Sequence, residues 1–453
     1  MFWEVAALLP SNKIAEYLEA VRGQIRWKKA QPILLEEIRS HMIDQKEAYQ
    51  KEGLDEEKAT EQAILQMGDP VLVGQQLDRA HRPKPDWILL GLAGVLLLSG
   101  IVLPYLLEFA VAERTERQLF VFVGASLAAL IVPYCLDFTL IAKYPKLIFC
   151  FLCLVTMIGF ICNRRVNGRI ENVGYLLLLL PVSFAGFVYS MRGKGYSGVF
   201  LCTAAFTISL FLALFSFEFV ALSLICVSCI VILTVAVMNA WFQSRKRGVL
   251  FIAFIPVLLV LFLLALMNMG AFGEYAQNMS AVFLPVNMEP QYEFINSAVR
   301  QLLFHSRFFG EGQPFVFAGF NSSQLAAWPE IHTDYLFTFL IYRFGWATAI
   351  LTAALFTAFL LRGILLCSRQ KSYLGFLVSL AIILTFAVQC VSYIMSNLGF
   401  PFFVPLFLPF LSYGGKALIV NLFLTGLLLS VFLSGEFVRD QFESSPTKQI
   451  PLV

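Results

Sequence analysis

The residues best suited to chemistry lie in a loop just before a long apolar stretch. Glu330, His332 and Asp334 stand at alternate positions, and the apolar stretch begins at Tyr335. A carboxylate held where lipid meets water can accept a proton near neutrality, because desolvation raises the pKa of such a group. Asp334 is therefore a candidate general base. The alternative is structural, since Thr333 or Asp334 could simply cap the helix by accepting backbone N–H bonds.

The composition predicts that these residues are carried by a membrane protein. The chain has 453 residues, of which 58% are hydrophobic and 14% charged, and it contains 45 phenylalanines. A soluble globule could not hide so much apolar surface from water. The net charge of +3 indicates no nucleic-acid partner. Nearly all nine cysteines fall in apolar runs, so we assign them to no zinc site or disulfide.

The charged residues are concentrated before the first apolar stretch. Ser11–Pro85 holds 13 acidic and 12 basic residues, with apolar residues at helical spacing between them. The pattern predicts four short amphipathic helices, separated near Pro32, Gly53 and Gly68. The expected division is a soluble helical bundle with its linker at 1–85, a transmembrane domain at 86–435 and a tail at 436–453.

Ten later stretches, each of roughly 20 residues, are long enough to cross a hydrocarbon core. They lie at 87–108, 118–140, 144–162, 173–191, 197–216, 219–241, 248–270, 335–361, 374–396 and 416–434. With the N-terminus inside, the short cytoplasmic loops carry ten Lys and Arg residues and the short outer loops carry five. This bias supports that orientation. The expected fold is all-α and multi-pass in the plasma membrane, with both termini in the cytoplasm.

Two strings in the last third of the chain resemble motifs of one family. Residues 329–337 read PEIHTDYLF, which is similar to the P-E-x-H-T-D-F-x-F signature of the SEDS family, the FtsW, RodA and SpoVE proteins. Residues 408–415 read LPFLSYGG, which resembles the LPFLSYGGS element of that family. Both strings occur in the family's order and precede an apolar stretch. The resemblance implies ten transmembrane helices.

The resemblance also implies an enzyme, a peptidoglycan glycosyltransferase of the bacterial plasma membrane. Such an enzyme polymerises lipid II, an undecaprenyl-pyrophosphate-linked disaccharide-peptide, at the outer face in division, elongation or sporulation. Asp334 takes the place of the family's essential aspartate, which would deprotonate the acceptor hydroxyl. A single-span class B penicillin-binding protein, a transpeptidase, is the implied partner.

Further residues are expected to bind the substrate. They are Glu330, His332, Arg343, Ser412, Tyr413, Gly414, Gly415, Lys416, Arg307 and Asn397, of which Asn397 resembles the first residue of the family's N-x-G element. The departing pyrophosphate needs positive charge. Arg300, Arg307, His332 and Lys416 are the candidates, and a divalent cation bridging the phosphates is the alternative. No ligand set for a metal ion is proposed.

The sequence departs from the family pattern at charged positions. The family's acidic pair, eight and nine residues after the aspartate, is here Tyr342 and Arg343, and Lys416 replaces the usual serine. Arg343 would lie about 13 Å into the predicted span, where a charge requires a wet cavity or a carboxylate. Two alternative functions stay open. One is a non-catalytic regulator or scaffold of envelope synthesis, and the other is a carrier (flippase) for a lipid-linked precursor, using Asp137 and Arg343.

The soluble segment resembles a second kind of domain. Residues 36–77 carry a Gly before an acidic helix start and the pattern A-x-x-x-x-G-D-P, as in permease-prefix or HAAS-type domains. That resemblance implies an interaction or regulatory module with an unknown cytoplasmic partner. No catalytic residue set appears in this segment, and His41 is expected on the bundle surface.

Overall fold

The chain folds into two compact units. One ends at Pro85, and the other is Asp86–Phe432. The computed structural model describes residues 11–28, 30–82, 85–106, 113–136, 138–162, 165–166, 169–170, 173–216, 219–242, 255–259, 261–262, 290–326, 334–400, 408–411 and 415–434.

The first unit is a bundle of the four predicted helices. They are Ser11–Gln24, Gln31–Lys51, Glu56–Met67 and Pro70–His81. The last helix starts as its sequence predicts, because the Asp69 carboxylate accepts a bond from the Val71 N–H at 3.0 Å and a proline follows it. Val21, Met42 and Ala59 are fully buried in the bundle, and His41 is exposed as expected.

Within the described residues, the second unit is almost entirely helical. Its helices are Trp87–Leu106, Glu113–Cys135, Leu140–Lys143, Pro145–Cys162, Val173–Leu177, Leu180–Ser190, Gly195–Phe215, Phe219–Met238, Pro290–Phe304, Ser322–Ala326, Leu336–Phe344, Trp346–Ser368, Tyr373–Asn397 and Gly415–Ser434. Two antiparallel strand pairs are present, Arg165–Val166 with Arg169–Ile170 and Val316–Phe317 with Phe320–Asn321.

The apolar helices confirm the predicted all-α, multi-pass membrane class. In the described part of the chain, seven helical stretches are long and apolar enough to cross a membrane, and two shorter apolar helices accompany them. The predicted span at 248–270 lies mostly outside the described residues.

The predicted span at 335–361 is wrong, because it consists of two helices. A short buried helix, Leu336–Phe344, ends at Gly345, and the long apolar helix is Trp346–Ser368. Gly345 has φ +97°, and a Cβ there would collide with the backbone carbonyl of Phe308. A positive φ at a glycine ends the helix, which hydropathy alone does not reveal.

The helix Tyr373–Asn397 forms the centre of the second unit. It packs against Leu180–Ser190, Phe219–Met238 and Trp346–Ser368, and most of its side chains are buried. Polar groups occur within this interior, where the Gln389 amide donates to the Asn421 side-chain oxygen at 3.2 Å.

An ion pair joins the start of the helix Trp87–Leu106 to the C-terminal half of the helix Trp346–Ser368. Arg362 donates to both carboxylate oxygens of Asp86, at 3.2 and 2.5 Å. Asp86 also accepts from the Leu89 N–H at 2.8 Å, so it caps the helix that starts at Trp87. The side chain of Asp86 is 13% exposed. The Arg362 guanidinium, bonded to this carboxylate, holds the pKa of Asp86 below its ordinary value.

Candidate active site

Asp334 lies immediately before the short helix Leu336–Phe344 and is half-buried. Its backbone carbonyl accepts a hydrogen bond from the Asn397 amide nitrogen at 3.0 Å. Asn397 ends the helix Tyr373–Asn397, so the central helix of this unit holds the main chain of the candidate base.

The first turn of the short helix is bound by side chains from that same central helix. The Thr338 N–H donates to the Asn397 side-chain oxygen at 3.0 Å. The Thr338 hydroxyl donates to the Asn397 backbone carbonyl at 2.8 Å. The phenol oxygen of Tyr393 is hydrogen-bonded to the backbone N–H groups of Leu336 and Phe337. Asn397 therefore caps the first turn of the short helix.

Asn397, expected from the sequence to bind substrate, has its side chain fully buried in the structure. Its amide nitrogen donates to the carbonyls of Asp334 and Tyr393 at 3.0 and 2.9 Å. Its amide oxygen accepts from the Thr338 N–H at 3.0 Å. An amide has two N–H donors, so both of them are used within the protein.

A hydrophobic cluster fixes the other face of the short helix. Tyr335, Phe339 and Tyr342 pack against Ile295, Val299 and Leu302 of the helix Pro290–Phe304. All six side chains are less than a tenth exposed. The short helix is thus held between the helix Pro290–Phe304 and the end of the central helix, which limits the movement of Asp334.

Backbone hydrogen bonds attach the loop at residues 307–312 to the break between the two helices. The Trp346 N–H donates to the Arg307 carbonyl at 3.0 Å, and the Gly312 N–H donates to the Tyr342 carbonyl at 2.7 Å. A Cβ on Gly312 would collide with the Tyr342 ring. The side chain of Arg307 remains exposed, consistent with its expected accessibility to a ligand.

Arg343 does not lie within the long apolar helix, contrary to the predicted span at 335–361. It is in the last turn of the short helix and pairs with Glu311 at 2.5 Å, with side-chain exposures of 49% and 57%. The carboxylate that the sequence argument required is present, but it comes from the loop. Tyr342, at the adjacent position, donates its hydroxyl to the Gln313 carbonyl at 3.2 Å.

A second cation, Arg300, is anchored at the same end of the central helix as Asp334. Its Nε donates to the Gly399 carbonyl at 3.0 Å. Gly399 has φ +81°, and a Cβ there would lie 2.8 Å from the Arg300 side chain. Asn397 is hydrogen-bonded to Asp334 and Gly399 is hydrogen-bonded to Arg300. One short turn therefore contacts both the candidate base and a candidate cation.

The first half of the second motif is structural. Leu408, Phe410 and Leu411 are buried. The ring of Phe410 lies 5.6 Å from that of Phe359 and 5.9 Å from that of Phe386, between centroids, and both partners lie near the middle of their helices. This segment therefore inserts between helices, which its apolar sequence permits but does not by itself predict.

Several expected site residues lie outside the described residues. They are Glu330, His332, Ser412, Tyr413, Gly414 and also Asp137. Gly415 begins the last helix, and Lys416 is exposed in its first turn. Over the ranges that the structure describes, no group of three His, Cys, Asp or Glu side chains is arranged to hold a metal ion.

Sequence reasoning missed Thr338, Tyr393 and Glu311. Thr338 and Asn397 stand 59 positions apart, and Arg343 and Glu311 stand 32 apart. The i, i+4 spacing of Tyr393 and Asn397 places both on one helix face. This spacing indicates that Tyr393 and Asn397 share a helix face, but it does not indicate that the face contacts the helix Leu336–Phe344.

Known proteins are similar to this part of the chain. Residues 308–435 match the FtsW, RodA and SpoVE family, described as "Cell cycle protein". A probable peptidoglycan glycosyltransferase FtsW of Trichlorobacter lovleyi is 30% identical over 124 residues, which are 27% of this chain and 31% of that protein. The stage V sporulation protein E of Bacillus subtilis is 35% identical over 103 residues, which are 23% and 28% of the two chains. The match spans about a third of the length of these curated relatives.

Solved structures extend the likeness in fold to 78% of the chain. A chain from "Structural coordination of polymerization and crosslinking by a peptidoglycan synthase complex" aligns with a TM-score of 0.54 at 18% identity, covering 78% of this chain and 98% of that one. The rod shape determining protein RodA of Thermus thermophilus aligns with a TM-score of 0.52 at 16% identity, covering 78% and 97%. Together, these matches show that the chain is a multi-pass helical membrane protein with a RodA-like fold, and that its residues 308–435 are similar to the SEDS family of FtsW, RodA and SpoVE proteins.

Proposed function

We propose that this protein is a peptidoglycan glycosyltransferase that polymerises lipid II, with Asp334 as its general base. The observation that carries the proposal is the position of Asp334, half-buried and held through its main chain by Asn397. By its motif, Asp334 would take the place of the family's essential aspartate, and it lies within the matched residues 308–435. Relatives carry the names probable peptidoglycan glycosyltransferase FtsW and peptidoglycan glycosyltransferase MrdB.

The proposed reaction transfers a glycan from its lipid carrier to an acceptor sugar. The acceptor hydroxyl attacks the anomeric carbon of the donor, and its proton passes to the Asp334 carboxylate. A new C–O bond forms as the bond between the anomeric carbon and the pyrophosphate breaks. The electron pair leaves with undecaprenyl pyrophosphate, whose negative charge must be stabilised by nearby positive charge.

Arg300 is the described cation best placed for that role. Its Nε donates a hydrogen bond to the Gly399 carbonyl. This bond orients the guanidinium and leaves its positive charge unpaired by that carbonyl. Arg343, by contrast, has a carboxylate partner in Glu311. Arg307, Lys416 and His332 remain candidates on sequence grounds, as does a divalent cation.

The proposal includes partners and an orientation. A single-span transpeptidase of the class B penicillin-binding type would act beside this chain, and one similar structure comes from a peptidoglycan synthase complex. The site would face outward from a bacterial plasma membrane with both termini in the cytoplasm, as the Lys and Arg bias favours. The bundle at 1–85 would then bind a cytoplasmic partner as a regulatory module.

A second candidate is a non-catalytic regulator of envelope synthesis. It is favoured by Tyr342 and Arg343, which replace the family's acidic pair and are used here in packing and in the pair with Glu311. The carrier alternative invoked Asp137 and Arg343, and Arg343 has a carboxylate partner in Glu311.

One assay separates the three functions. Purified protein in proteoliposomes is supplied with labelled lipid II, with and without a single-span transpeptidase, and glycan polymer and lipid translocation are measured together. Polymer supports the glycosyltransferase. Translocation without polymer supports the carrier, and the absence of both, with binding of the transpeptidase retained, supports the regulator.

A further inference from the structure

The short helix Leu336–Phe344 is capped from outside its own sequence. Its N-cap residue, Tyr335, makes no capping bond with its side chain. A helix leaves its first N–H groups without intrahelical partners, and these groups need acceptors when they are buried. Here the acceptors come from the central helix, because Asn397 binds the Thr338 N–H and the Tyr393 phenol lies at the N–H groups of Leu336 and Phe337.

This arrangement also holds the residue that precedes the helix. The same Asn397 amide that accepts from Thr338 donates to the Asp334 carbonyl at 3.0 Å. The Thr338 hydroxyl closes the arrangement by donating to the Asn397 carbonyl at 2.8 Å. Thr338 and Asn397 are both fully buried, so water does not compete for these bonds.

We infer that Thr338, Tyr393 and Asn397 are positioning residues for Asp334, forming a clasp that sets where its carboxylate points. This inference rests on the proposed function of Asp334 as a base. None of the three is proposed to touch substrate. Catalysis depends steeply on geometry, and a misplacement of about 1 Å can cost roughly 100-fold in rate. The clasp therefore governs turnover rather than substrate affinity.

The test replaces the Thr338 hydroxyl and then restores it. Thr338→Val keeps the side-chain shape and removes the hydroxyl, whereas Thr338→Ser returns it. The matched control is Thr385→Val, because Thr385 is also fully buried, lies on the central helix, and bonds the Ala381 carbonyl one turn away. Tyr393→Phe is a second variant, which removes the phenol oxygen from the other side of the cap.

Polymerisation of labelled lipid II gives the first readout. We expect Thr338→Val and Tyr393→Phe to lower kcat about 10-fold with KM changed less than about twofold. Thr338→Ser should recover most of kcat, and Thr385→Val should match the wild type. A rise in KM at unchanged kcat would overturn the inference, because it would mean that these side chains bind substrate.

A second readout does not require activity. Asp334→Cys is combined with each substitution, and the rate of alkylation at position 334 by a charged thiol reagent is measured, with labelling of the native cysteines subtracted. Thr338→Val and Tyr393→Phe should change this rate severalfold, and Thr338→Ser and Thr385→Val should not. If the wild type makes no polymer, the proposed function is wrong. The alkylation rate at position 334 still tests whether Thr338, Tyr393 and Asn397 position that residue. Unchanged alkylation in both Thr338→Val and Tyr393→Phe would overturn the clasp even if polymerisation were intact.

Discussion

At the scale of single residues, Gly345 decides where the site helix ends. Its φ of +97° lies in the region that side chains rarely adopt, and its α-carbon approaches the Phe308 carbonyl closely. The turn it forms lets the Trp346 N–H reach the Arg307 carbonyl at 3.0 Å. A single position thus separates a short buried helix from a membrane-spanning one.

Gly345→Ala should destabilise the protein. The substitution adds backbone strain of about 1–3 kcal/mol and forces the Phe308 carbonyl to move. We expect a lower melting temperature in detergent, together with reduced polymerisation. Gly94→Ala is the control, because a Cβ at Gly94 meets nothing within 4 Å. Equal melting temperatures for the two variants would argue against the importance of this turn.

Local sequence identifies some site residues and not others. Asp334 and the LPFLSYGG string could be predicted because their motifs are contiguous. The partners of Asp334 could not, since Asn397 comes from a distant helix and its amide gives no local sign of its contacts. The partner of Arg343 could not be predicted either, because Glu311 lies in a loop 32 positions away.

At the scale of helices, the ion pair between Asp86 and Arg362 connects the first helix of the transmembrane unit to the helix that follows Gly345. Both side chains are mostly buried, at 13% and 26% exposed. The pair between Arg343 and Glu311 is about half exposed. Water screens an exposed pair, so only the first pair should contribute measurably to stability.

Asp86→Asn should therefore lower the melting temperature near neutral pH. Because the pKa of Asp86 is lowered in the folded protein, its contribution is present above the ordinary value of 3.8 and disappears as the pH falls through the lowered pKa. The difference in melting temperature between Asp86→Asn and wild type should therefore decrease towards zero as the pH is lowered. Thermal unfolding in detergent over a pH series measures it.

The control for this pair is Glu311→Gln, which should change the melting temperature little at any of these pH values. A difference between Asp86→Asn and wild type that persisted unchanged in acid would contradict the account. It would mean that the substitution acts through the cap of the helix at Trp87 rather than through charge.

Hydropathy located most helices correctly but could not define every boundary. An apolar stretch can have the same composition whether it crosses a membrane or forms a short buried helix. The stretch 335–361 contains one of each, the short helix Leu336–Phe344 and the start of the long helix Trp346–Ser368. Only the packing of Phe339 and Tyr342 against Val299 distinguishes the buried short helix from the span.

At the scale of the whole molecule, the chain combines a small helical bundle with a larger unit of apolar helices. The bundle's helices were predictable because its apolar spacing, its prolines and its Asp69 cap all agree with one another. Its own core, centred on Val21 and Met42, requires nothing from the second unit. We propose that it is an independent domain.

Residues 1–85 should therefore fold when expressed alone. We expect a helical circular dichroism spectrum and a cooperative urea transition. Met42→Ala should lower the free energy of unfolding by about 2–5 kcal/mol, because Met42 is fully buried. His41→Ala should leave it nearly unchanged, since His41 is exposed. A fragment without a cooperative transition would contradict the domain proposal.

The central claim is that the Asp334 carboxylate accepts the proton of the acceptor hydroxyl. Its most direct test is the initial rate of glycan polymerisation from labelled lipid II by purified wild type and Asp334→Asn at equal folded concentration. Glu311→Gln provides a matched exchange of acid for amide in the same part of the chain. The account predicts loss of polymer in Asp334→Asn and a near-normal rate in Glu311→Gln. Polymer formed by Asp334→Asn at the wild-type rate would contradict it.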